Sequence, residues 1–198
     1  MNAVALERLQ QEAAHCRRCD LWKAATQTVF GEGAPDARLV LVGEQPGDRE
    51  DIDGRPFVGP AGEMLARALA DANVSRDAIY ITNAVKHFKF SPRGKRRLHQ
   101  KPDAHEIERC RWWLEQELAL LEPAVTLALG ATAARALLGR AVTISKTRGQ
   151  VIDSGEGRYF MVTVHPSYLL RIRDAADKKR AYRAFVHDLE AARDQAAA

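Results

Sequence analysis

The chain has 198 residues, 46% of them hydrophobic, and a net charge of +4 at pH 7. That length fits one domain with a buried core, and no run approaches the roughly 18 to 20 apolar residues of a membrane span. The mild basic excess is compatible with a polyanionic partner without demanding one, and three cysteines exclude a fully paired disulfide framework.

In chain order, the opening segment MNAVALERLQQEAAHC reads as a charged helix with no signal-peptide core, so the cytoplasm is the expected compartment. It runs into Cys16-x-x-Cys19. Four β-rich runs follow at 38–43, 79–83, 125–129 and 160–164, and continuous apolar strands of this kind suit a parallel sheet covered on both faces. Helical patterns lie between them. One covers 61–72 after the Gly59-Pro60 break, one covers 103–121 from an Asp103 cap to Pro123, and a shorter one covers 131–138. A last helix is expected from 174 to about 193. The alternation predicts an α/β protein, a three-layer α/β/α sandwich around a central, mainly parallel four-stranded sheet. All of 1–198 is read as one domain: N-terminal helix and Cys motif over 1–37, α/β core over 38–173, C-terminal helix over 174–193.

The polar motifs sit where such folds bind ligands, at the carboxyl ends of strands. Gly43-Glu-Gln-Pro-Gly47 follows the first strand, Asn83 ends the second, and His165-Pro-Ser167 follows the last. Lys86, Lys89, Arg93, Lys95, Arg96, Arg97 and Lys101 place seven cations in sixteen residues. With Pro92, Gly94 and Pro102 among them, this stretch reads as a loop whose charge calls for a partner.

Four stretches, GEQPGD at 43–48, GRPFVGPAG at 54–62, YITNAVK at 80–86 and VHPSYLLR at 164–171, resemble the uracil-DNA glycosylase superfamily, most closely its iron–sulfur branch, family 4. Three features are similar to the subclass called UdgX, which stays covalently linked to the uracil site it has emptied. Gln45 stands where family 4 usually has Ala, KRRLH at 95–99 is an inserted basic loop, and His87 replaces one cluster cysteine. The resemblance implies the superfamily's α/β/α fold and uracil-containing DNA as partner, single-stranded first, with double-stranded DNA left open. A monomer and no membrane association are expected. By ligand chemistry alone, Cys16, Cys19, Cys110 and His87 suit structural zinc equally well. The resemblance decides for a [4Fe-4S] cluster on those four residues.

For the site, an Asn amide complements the N3–H donor and O4 acceptor of uracil, a match that cytosine reverses. The resemblance gives that reading task to Asn83, with Phe57 stacking on the flipped ring and Gln45 beside it. It also implies that His165 donates to uracil O2 as charge develops there. His99 is then the nucleophile at C1′, with Glu44 as its partner, Gln45 and Asp48 in the catalytic group, and Asp51 supporting the loop. Without the resemblance, His99 in a basic loop reads as a phosphate contact, Asn83 as a turn cap and Phe57 as core. Lys95, Arg96, Arg97, Ser167 and Arg171 are expected to hold DNA, with Tyr168-Leu-Leu170 as an apolar wedge. The alternative activity is a conventional family-4 glycosylase that uses water and turns over.

Overall fold

The computed structural model describes residues 2–198. The elements in chain order are α1 (Asn2–Ala13), β1 (Glu32–Gly33), β2 (Leu39–Gly43), α2 (Asp48–Asp53), α3 (Pro60–Asp71), β3 (Tyr80–Asn83), β4 (Phe90–Arg93), β5 (Arg96–His99) and α4 (Ala104–Leu121). Then come β6 (Val125–Leu129), α5 (Ala131–Leu138), α6 (Ile144–Thr147), β7 (Ile152–Gly155), β8 (Arg158–Thr163), α7 (Pro166–Arg171) and α8 (Ala175–Ala197).

The main sheet has the order β1-β3-β2-β6-β8-β7. The inner four strands are the expected ones and are parallel throughout, with Leu41 opposite Ile81 and Val42 opposite Ala128. The sheet is nevertheless six-stranded, not four-stranded. Two antiparallel edges, β1 on β3 and β7 on β8, are added by segments too short or too polar to show an apolar run. Every residue of β2 and β6 is buried, because parallel strands are covered on both faces. Alternation then sorts the side chains. Val40 and Val42 pack with Leu6, Leu9 and Trp113 under α1 and α4, while Leu39 and Leu41 pack with Met64, Phe185 and Leu189 under α3 and α8.

Local chemistry starts and stops the helices. Asp103 caps α4 by accepting from Glu106 N (3.0 Å), and the Glu106 carboxylate accepts from Asp103 N (2.8 Å), a reciprocal capping box. Pro60 begins α3 at a position whose N–H has no helical partner. The basic stretch read as a loop is instead a two-stranded hairpin, β4 paired with β5, with Arg93 opposite Arg96. Gly94 has φ +59° at the first position of the two-residue turn, where a positive φ lets the strands reverse tightly. No helix among the described residues is long and apolar enough to cross a membrane.

Candidate functional site

β3 and β6 flank β2 on opposite sides, so the connections diverge there and leave a crevice at the carboxyl ends of β2 and β6. A cleft of about 1270 Å³ opens at this point, lined by Glu44, Phe57, Asn83, His99, Gly130 and His165 among others. Residues far apart in sequence are brought together as the strand-end rule anticipates.

Phe57, Gly43 and Asn83 form the inner wall. Phe57 is held at φ +57°, uncommon for a residue with a large side chain. A Cβ on Gly43 would come within 2.6 Å of the Phe57 ring and would meet Asn83 Oδ1, so only glycine lets these two groups stand over the backbone. Glu50 joins the two loops that form the wall: its Oε2 accepts from Gly47 N (3.1 Å) and its Oε1 from Gly59 N (3.0 Å). Asn83 is 3% exposed, and its Oδ1 is a buried acceptor with no partner among the described residues. An unpaired buried polar atom is costly and rare, so this oxygen points to a donor that arrives from outside.

His165 faces the same space. Its Nδ1 accepts from Ser167 N (3.2 Å) and lies 2.8 Å from Ser167 Oγ, which leaves the proton on Nε2. Burial above all, with the charges of His99 and Arg171, pushes its pKa down to about 4, so the ring is neutral at pH 7 and Nε2 is a donor. The Ser167 hydroxyl, expected on DNA, is engaged with His165 and with Arg171 Nη1 (3.2 Å). Arg171 itself is exposed at the cleft mouth.

His99 ends β5 and its side chain is 48% exposed; its Nε2 lies 3.5 Å from Glu44 Oε1. Three anchors hold its hairpin over the cleft. Gln45 is buried and spans the hairpin base, accepting from Lys89 N (3.2 Å) and donating to the carbonyls of Lys89 (3.2 Å) and Gln100 (3.0 Å). Arg97 donates to Asp48 Oδ1 (2.5 Å) and Asp51 Oδ2 (2.6 Å), and Asp51 also accepts from Thr26 N (3.0 Å). The Arg97 guanidinium further lies over the Phe88 and Phe90 rings at 5.4 and 5.1 Å. Gln45, Asp48 and Asp51 therefore act on the hairpin through their side chains, and Arg97, expected to clamp phosphate, is engaged inside the protein. Two more of the basic run are also internal. Lys89 pairs with Glu106 (2.8 Å) and Asp103 (3.2 Å), and Lys86 is fully buried against Glu117. Arg93, Lys95, Arg96 and Lys101 are exposed and make no ion pair among the described residues.

Two groups escaped the sequence reading. Glu117 accepts from Tyr80 OH (3.0 Å), Thr82 Oγ1 (2.9 Å) and Gly31 N (3.1 Å) as well as from Lys86, whose Nζ also reaches the Asn83 carbonyl (2.9 Å). Thr132, in the first turn of α5, donates to Glu44 Oε2. Neither carries a sequence signal, since each depends on elements that meet only in three dimensions.

Cys110 lies in α4, and Cys16 and Cys19 lie in the segment after α1. None of the three is in a disulfide, and burial above all pushes Cys110 up to about 12 and raises Cys19. Cys16 Sγ accepts from Trp113 Nε1 (3.0 Å) and Cys110 Sγ from Lys86 N (3.2 Å), as ligand sulfurs often do. The Thr28 hydroxyl donates to the Ala13 carbonyl (2.9 Å), so it accepts from His87 Nε2 (2.9 Å). That fixes the proton on Nε2 and leaves Nδ1 as a lone pair, and this atom is buried with no partner among the described residues. Burial also lowers the His87 pKa, which keeps the ring neutral as ligation requires. No three His, Cys, Asp or Glu side chains among the described residues converge on one point as a single ion demands. The unpaired His87 Nδ1 and the three cysteine sulfurs are donor types that suit zinc and iron–sulfur alike.

The fold and cleft are those of an α/β protein whose pocket wall presents the Phe57 ring, one unpaired acceptor and one histidine donor. Residues 30–190 match the sequence profile of the uracil DNA glycosylase superfamily. The chain is 40% identical to the type-4 uracil-DNA glycosylase of Thermotoga maritima over 85% of its own length and 84% of that protein. It is 35% identical to the type-4 enzyme of Archaeoglobus fulgidus, covering 84% of this chain and 83% of the relative. It is also 35% identical to that of Pyrobaculum aerophilum, covering 84% and 85%. The chain belongs to the uracil-DNA glycosylase superfamily.

Proposed function

We propose that this chain, acting as one domain, excises uracil from DNA and that His99 captures the sugar left behind, the behaviour of the UdgX subclass. The observation that carries the excision reading is the orphaned Asn83 Oδ1 beside Phe57 and Gly43. A uracil flipped out of the strand supplies the missing N3–H, and its ring stacks on Phe57. Cytosine has no N3–H and would leave the buried oxygen unpaired. The neutral His165 donates from Nε2 to O2, where negative charge grows as the N-glycosidic bond breaks.

The bond between N1 and C1′ breaks with its electron pair going to uracil. A ring nitrogen of His99 then gives its lone pair to C1′, and Glu44 faces the positive charge on the alkylated ring. Support for this comes from the 3.5 Å approach of His99 to Glu44 and from the anchors on its hairpin. Contacts of this kind often tighten only when substrate is bound. The N-alkyl product has no easily expelled group, so one protein is consumed per lesion. Lys95, Arg96 and Arg171 are proposed to hold phosphates, with Tyr168 and Leu170, both exposed, as the wedge.

The proposed cofactor is a [4Fe-4S] cluster held by Cys16, Cys19, Cys110 and His87 through Nδ1. Held there, it would supply folding free energy, with ligands from the segment after α1, from α4 and from the β3 exit.

The test is denaturing gel electrophoresis of protein mixed with uracil-containing single-stranded DNA, beside His99→Ala. A heat-stable, uracil-dependent shifted band that is lost in the variant supports the proposal. No band, with abasic sites accumulating beyond the protein concentration, assigns the chain to the conventional, water-using glycosylases.

A further inference from the structure

Glu44 leaves the carboxyl end of β2, and α5 begins just past the carboxyl end of the neighbouring strand β6. Thr132 stands in the first turn of α5, 2% exposed, and its hydroxyl donates to Glu44 Oε2 across the crevice between the two strands. The other oxygen, Oε1, is the one that faces His99 Nε2. Among the described residues no other hydrogen bond reaches this carboxylate, and no Lys or Arg lies within ion-pair distance of it. Its orientation therefore rests on one hydroxyl.

We propose that Thr132 is a positioning residue that aims Glu44 at His99, and so decides whether the sugar is captured by the protein or by water. The proposal rests on the roles given above to Glu44 and His99. A partly exposed glutamate has several rotamers and exchanges its partners freely. Fixing one oxygen removes that freedom and leaves Oε1 presented to the ring. Threonine suits the task because branching at Cβ restricts χ1, so its hydroxyl is itself held in place. When capture occurs, Oε1 already faces the charge that forms on His99, and the site does not reorganise during the step. When the hydroxyl is missing, the carboxylate turns to water and the oxocarbenium-like sugar meets a poorly stabilised imidazole.

The experiment compares the full chain with Thr132→Val, Thr132→Ser and Glu44→Gln under single-turnover conditions on uracil-containing single-stranded DNA. Uracil release and covalent adduct are measured separately, together with the melting temperature of each variant. Thr132→Val is expected to slow capture by about 10- to 100-fold, the range set by one charge-assisted hydrogen bond. Uracil release falls less, so the captured fraction drops and free abasic DNA appears. Thr132→Ser keeps the hydroxyl and restores the captured fraction, and the melting temperature of Thr132→Val stays within about 2 °C of the parent. Three results would overturn the proposal. If Thr132→Val captures as the parent does while Glu44→Gln does not, the threonine has no part and the reading of Glu44 survives. If Glu44→Gln captures normally, that reading falls and the positioning role falls with it. If Val and Ser variants lose capture and release equally, with lowered melting temperatures, Thr132 acts only in packing.

Discussion

Replacing Lys86 by methionine removes the cation paired with a fully buried carboxylate, its only cation among the described residues. Lys86 and Glu117 are both 0% exposed, and the ammonium also reaches Thr82 Oγ1 (2.6 Å) and the Asn83 carbonyl (2.9 Å). Methionine fills much of the same volume, so the loss is electrostatic rather than a cavity. Breaking a buried pair by removing one partner costs roughly 3–5 kcal/mol. Here Glu117 keeps the Tyr80 and Thr82 hydroxyls and the Gly31 N–H, which places the loss at the lower end, about 3 kcal/mol. For a chain of this size each kcal/mol moves the melting temperature by about 2–4 °C, so Lys86→Met is expected to melt about 6–12 °C lower. Adding Glu117→Gln, which keeps an acceptor but removes the charge, should recover at least half of that. Thermal melts of the full chain followed by circular dichroism measure both. A Lys86→Met variant that melts within about 2 °C of the parent, or a double variant less stable than the single one, refutes the argument.

Three further outcomes follow from the same geometry. His165 has its pKa pushed down to about 4, chiefly by burial, so the unfolded chain binds a proton near 6.5 that the folded chain refuses. The stability tied to this ring is present above pH 6.5 and lost as pH falls towards 4; denaturant titrations at pH 7 and 5 should show His165→Asn losing less than the parent. Replacing exposed Lys95 and Arg96 together by alanine should flatten the salt dependence of binding to uracil-free single-stranded DNA by about 1.4 in the log–log slope, whereas Arg97→Ala should leave the slope nearly unchanged. Thr28→Val takes the acceptor from His87 Nε2 and frees the ring to turn. If the proposed cluster is present, retention of iron against a chelator, followed by visible absorbance and iron content, should weaken about 10- to 100-fold.

What the amino-acid order determined by itself is whatever depends on neighbours along the chain. The four inner strands and the α3, α4 and α5 helices follow from apolar runs, the Asp103 cap and the Gly59-Pro60 break, all local signals. The motifs at strand ends placed Glu44, Asn83 and His165 in one cleft for the same reason, since a parallel sheet puts all its strand ends on one side. The hairpin was misread because its strands pair only with each other and carry charge in place of an alternating apolar face. The partners of the charges were also hidden. Seven cations in one stretch looked alike in sequence, yet Lys86, Lys89 and Arg97 turn inward because Glu117, Glu106, Asp48 and Asp51 meet them from other elements. The same holds for the hydroxyls of Thr28 and Thr132, each of which fixes one functional group by a single hydrogen bond. Such bonds act over about 3 Å between residues dozens of positions apart, a distance that only the folded backbone can set.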